Sequence, residues 1–143
     1  MRSLLGAAIE QEADVTLVDM EAGLEHLSRS GGTLAYADVL LVIMEPSRKS
    51  ILTAARTIAL ADQLGIPRVY GVGNKARLPE DAEFFEQVAG EYAVPLAGIV
   101  PHDVDVVEAD RRGHVLTDGR GEPVKAAVRA IIEFVDSSLV AVP

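Results

Sequence analysis

The sequence has no cysteine and no tryptophan. Without cysteine there is no disulfide and no thiolate metal site, which fits a cytoplasmic protein. Aromatic residues make up only 4% of the chain. Ala, Val, Leu and Ile must therefore fill the core, as is usual where helices cover a parallel sheet. Positive charge is scarce too: 13 Lys and Arg stand against 22 Asp and Glu, a formal net charge of −9. Phosphate-backbone binding needs clustered cations, so nucleic acid is not an expected partner. Arg48-Lys49 and Arg111-Arg112 are the local basic spots. Long apolar runs are missing as well. None approaches the ~18 residues of a membrane span. The apolar start Met1–Ile9 stops at Glu10 and is not read as a signal peptide.

What is present is enough for one domain with its own core. The chain has 143 residues, 49% of them hydrophobic, and a mean hydropathy of +0.23. Residues 1–143 are read as a single domain. Four apolar runs are expected as strands: Val15–Asp19, Val39–Glu45, Arg68–Asn74 and Leu96–Pro101. They are continuous rather than alternating, which signals burial on both faces. Helical patterns separate them. Ser47–Leu64 carries Ile51, Ala55 and Ile58 on one side, with Ser47 as N-cap and Gly65-Ile66-Pro67 as the stop. Pro79-Glu80-Asp81 opens another helix. Pro123–Leu139 carries the stripe Val124, Val128, Ile131, Val135 and Leu139. This alternation predicts an α/β fold, a three-layer sandwich around a mainly parallel sheet.

In such sheets ligands bind beyond the carboxyl ends of the strands. Four segments are expected there. In Asp19-Met20-Glu21-Ala22-Gly23, an Asp at a strand end can hold Mg²⁺ through water, and Gly23 lets a backbone N–H approach a phosphate. An ordinary turn with Asp capping the next helix explains the same residues. Glu45-Pro46-Ser47-Arg48-Lys49 sets two cations at a helix start, either as an anion or partner contact or as solvated charge. Gly71-Val72-Gly73-Asn74-Lys75 ends in an amide that both donates and accepts, as a purine edge requires. It lacks the G-x-x-x-x-G-K-[ST] spacing of a P-loop, and Ala76 brings no hydroxyl. Val100-Pro101-His102-Asp103 offers a rigid ring and an acceptor, or simply a turn and an N-cap. His26, His102 and His114 share no metal-ligand spacing, and no Ser/His/Asp arrangement stands out.

Taken in order, these segments resemble the deviant-Walker P-loop ATPases that include the MinD/ParA proteins and the nitrogenase iron protein. Within that group the chain looks most like the CooC-type ATPases that mature nickel carbon monoxide dehydrogenase. Asp19–His26 is similar to their switch II region, Glu45–Ser50 to the following strand–helix junction, and Gly73-Asn74-Lys75 with Pro101-His102-Asp103 to the two adenine-pocket motifs. Glu108–Gly113 continues the likeness. The resemblance implies that Asp19 holds the Mg²⁺ water and Gly23 senses the γ-phosphate. Asn74 would bond adenine, and Pro101 and Asp103 would flank the base. It implies ATP or ADP with Mg²⁺ as cofactors and an ATP-driven homodimer that acts as a metallochaperone, handling nickel for its target enzyme.

The likeness covers the C-terminal half or slightly more of such a protein. The Walker A loop with its Lys residues has no counterpart in the sequence, nor does the Cys-x-Cys metal motif. The chain is therefore expected to be an N-terminally truncated P-loop NTPase-like fold that does not hydrolyse ATP by itself. No complete catalytic set is present. In the resembled sheet the strand leading to Walker A lies between those matching Val15–Asp19 and Val39–Glu45. Closure of that gap, pairing with another chain or a swapped dimer is expected. The alternative is a non-catalytic dimerisation or partner-binding module. A receiver-like domain fits poorly, because its acceptor Asp should end the third strand, where Asn74-Lys75 stands.

Overall fold

The computed structural model describes residues 15–20 and 37–140. The elements are β1 (Leu40–Met44), α1 (Arg48–Gln63), β2 (Val69–Ala76), α2 (Glu80–Glu91), β3 (Leu96–Pro101), α3 (Val104–Arg112) and α4 (Glu122–Val140). Among the described residues the sheet has three parallel strands in the order β1-β2-β3.

Side-chain caps start α1 and α3, while α2 follows Pro79 without one. Ser47 Oγ accepts the Ser50 N–H at 3.2 Å and starts α1. Gly65, at φ 78°, follows its C-cap Leu64, as the sequence leads one to expect. Asp81 in the first turn of α2 accepts the Arg77 N–H at 2.7 Å. Asp103 Oδ1 accepts the Asp105 N–H at 2.8 Å and starts α3.

Strand parity sorts the layers. Met44 from β1 joins Ile51 and Ala54 of α1, Phe85, Val88 and Ala89 of α2, and Val94 in one buried cluster. Helices α1 and α2 therefore share one face. On the opposite face α4 packs on β3, and its Phe134 meets Tyr70 of β2 edge-on at 4.9 Å between ring centroids. Glycines let the layers approach. A Cβ at Gly73 would lie 2.8 Å from Phe85, and one at Gly98 would lie 2.6 Å from Ile131. Gly71 and Gly73 are thus packing positions inside β2, consistent with the absence of P-loop spacing.

Two expectations need correction. Val15–Asp19 does not form a strand. It has no ladder partner among the described residues, and Val15 and Leu17 are 81% and 92% exposed. Apolar composition alone does not make a strand, because the strand's backbone groups must be paired along a neighbour. The α4 stripe is also narrower than its periodicity suggests. Ile131 is buried against β3, but Val128 and Leu139 remain exposed, since among the described residues α4 packs mainly on β3.

Candidate functional site

The carboxyl ends of β2 and β3 lie side by side. Ala76 is in register with Pro101, and the His102 N–H donates to the Ala76 carbonyl at 2.7 Å. This pairing brings Asn74, Pro101 and Asp103 to one edge of the sheet. Asn74 and Pro101 are half-buried, as is Asp103. The Asn74 Oδ1 accepts the Lys75 N–H at 2.9 Å, which fixes the plane of the amide. Asp103 uses Oδ1 to cap α3, and its other oxygen takes no bond from the described residues. The capping role and the acceptor role proposed from the sequence are therefore compatible in one carboxylate.

Strand β2 runs two residues further than the apolar pattern predicts, to Ala76. Between Gly73 and Ala76 its register with β3 shifts, and Lys75 has φ 59°. Its ammonium lies 2.6 Å from Glu45 Oε1, just past the end of β1. Glu45 in turn donates its backbone N–H to Ser50 Oγ at 3.0 Å. Nothing in the local sequence announces the bulge, since Lys is a poor guess for a left-handed residue.

The remaining candidates lie elsewhere. Asp19 is exposed, and its neighbour Met20 packs against the buried Ala61 and Ile66, as do Leu40 and Val69 from the starts of β1 and β2. Asn74 and Pro101 sit at the other end of the strands, so the structure does not bring Asp19 to them. Gly23 and His26 lie outside the described residues. Arg48, read as an anion or partner contact or as solvated charge, pairs with Glu91 at the end of α2, at 2.6 and 3.4 Å. The hydrogen bond from Arg48 lowers the pKa of the Glu91 carboxyl, against the opposing effect of burial. The same bond raises the Arg48 guanidinium. Among the described residues no group of three or more His, Cys, Asp or Glu could hold a metal ion. No described helix is long and apolar enough to cross a membrane.

Beside the edge lies a cleft of about 460 Å³ between α3 and the segment after it, lined by Asp105, Glu108, Arg112, His114, Leu116 and Arg120 among others. Asp105 closes it, accepting from Arg120 Nε and the Gly121 N–H, each at 3.1 Å. Nothing in Asp118-Gly119-Arg120-Gly121 beyond a turn-like composition announces this clamp.

No protein-family profile matches the chain. It is 33% identical over 138 residues to the carbon monoxide dehydrogenase accessory protein CooC of Rhodospirillum rubrum, covering 94% of this chain and 51% of that protein. It is 36% identical over 114 residues to an uncharacterised ATP-binding protein of Methanocaldococcus jannaschii, covering 79% of this chain and 43% of the other. The chain thus spans about half the length of the curated relatives it matches. Among solved structures, the MinD cell division protein of Aquifex aeolicus superposes with a TM-score of 0.57 at 21% identity, over 78% of this chain and 48% of that one.

Proposed function

The chain belongs with the MinD/ParA-like P-loop ATPases related to CooC, and from that premise we propose that Asn74, Pro101 and Asp103 form the adenine side of an ATP site. The observation that supports this reading is the meeting of these residues at the carboxyl ends of two adjacent parallel strands. The chemistry of the donor set fits the base. Asn74 offers Nδ2 hydrogens and a second lone pair on Oδ1, as an adenine edge requires. Pro101 supplies an apolar ring, and the uncommitted Asp103 oxygen can accept from an exocyclic amine.

The fit does not extend to the ion. In the arrangement described, Asp19 lies near the opposite end of the strands from these residues, and no step is assigned to Mg²⁺. Roles for Asp19 and Gly23 depend on Val15–Asp19 joining the sheet. The 143 residues contain no G-x-x-x-x-G-K-[ST] cradle. Positioning and charge neutralisation by such a cradle carry phosphoryl transfer. By themselves these residues bind the base but do not turn over ATP. In a complete site the role would be that of a CooC-like maturation ATPase, a dimer handling nickel as cargo for a carbon monoxide dehydrogenase.

The second reading is a non-catalytic dimerisation or partner-binding module. It is favoured by β1, Leu-Leu-Val-Ile-Met, which stands at the sheet margin among the described residues with Ile43 58% exposed. Calorimetric titration separates the two. The nucleotide reading expects ATP and ADP to bind, and Asn74→Ala to weaken both about tenfold or more. Absence of any heat of binding at millimolar nucleotide leaves the module as the surviving reading.

A further inference from the structure

The backbone at the tip of β2 departs from a regular ladder. Gly73 pairs with Ile99 and Ala76 with Pro101, so β2 uses one more residue than β3 over the same span. An extra residue bends a strand and re-aims the side chains around it. Lys75 takes up the bend with φ 59°, a left-handed conformation that residues with a side chain adopt rarely and at a cost. Such strain persists where the surroundings over-determine it.

Two contacts do so here. On the far side, the Ala76 carbonyl is held by the His102 N–H at 2.7 Å. On the near side, Lys75 Nζ reaches across to Glu45 Oε1 at 2.6 Å. Glu45 is itself fixed through its backbone bond to Ser50 Oγ at 3.0 Å. Held this way, Lys75 presents its N–H to Asn74 Oδ1 at 2.9 Å. A free amide can rotate to offer its donor and acceptor in either order, whereas this one has its oxygen committed on one side.

We propose that Glu45 is a positioning residue for Asn74, acting through Lys75, and that it sets base selectivity. The proposal rests on the adenine reading above. An adenine edge offers an amine donor beside a ring-nitrogen acceptor, while the corresponding guanine edge reverses the order. A fixed amide discriminates between them, and a loosened amide does so less. Glu45 touches neither base nor phosphate in this account.

Asn74 is the only asparagine in the sequence, so selective labelling gives a single side-chain amide signal. The test compares wild type, Glu45→Ala, Lys75→Gly and the double variant by this signal without ligand and by titration with ATP and GTP. Glu45→Ala should shift the Asn74 amide resonances and reduce the ATP:GTP preference about fivefold, the scale an exposed ion pair supports. In the Lys75→Gly background, where glycine adopts positive φ freely, Glu45→Ala should change neither readout further. Unchanged Asn74 resonances in Glu45→Ala overturn the proposal, as does a shifted amide with unchanged base preference. If wild type binds neither nucleotide, the adenine reading fails, and the ligand-free amide signal still decides whether Glu45 positions Asn74.

Discussion

Two apolar runs of this chain look alike and end differently. Leu40–Met44 is paired with β2 at five positions, from Leu40 opposite Val69 to Met44 opposite Gly73. Val15–Asp19 carries the same kind of residues, yet it has no ladder among the described residues, and Leu17 is 92% exposed. The difference is the neighbour. Backbone pairing and a covering helix turn Leu40–Met44 into a strand. The same residue types without those partners stay outside the sheet. The candidate site residues follow this division. Asn74 and Asp103, which lie on or beside paired strands, are placed together, and Asp19 is not.

Substitutions on the two sides should differ in cost, most of all on the paired side. Phe85→Ala empties the centre of the buried cluster against Gly73, and should cost about 3–5 kcal/mol in urea unfolding. Next comes Gly98→Ala, whose new Cβ would lie 2.6 Å from Ile131. It should cost about 1–3 kcal/mol by the same measurement, through displacement of α4. Smaller still is the Arg48–Glu91 tie between α1 and α2, which is exposed. Glu91 has a lowered pKa in the fold, so its stabilisation is full above the ordinary carboxylate range and fades as pH falls through it. The stability curves of Arg48→Ala and wild type should differ at neutral pH and converge in acid. A constant gap down to low pH would show that the pair contributes by packing instead. Smallest of all is Leu17→Ser, expected within about 0.5 kcal/mol of wild type. A loss several times larger would mean that Val15–Asp19 is buried in solution, and the contrast would collapse.

Much of the paired side was legible in the sequence. Leu96–Pro101 has the bounds of β3, and Ser47 and Gly65 bracket α1 as their capping chemistry requires. The segments carrying Asn74 and Asp103 could be placed at one edge because parallel strands joined by helices leave their carboxyl ends together. What escaped depends on partners distant in sequence. The Lys75 bend needs Glu45, Arg48 needs Glu91, and the cleft beside α3 needs Arg120 to reach Asp105. The misreading of Val15–Asp19 has the same root, since periodicity reports what a segment can bury but not whether a neighbour is there to pair with it.

Whether Asn74 and Asp103 hold a base is decided by backbone amide shifts of the uniformly labelled chain during an ATP titration. Changes should concentrate at Asn74–Ala76 and His102–Asp105, with Val15–Asp19 unmoved. Shifts confined to Val15–Asp19, or none anywhere at millimolar ATP, would contradict it.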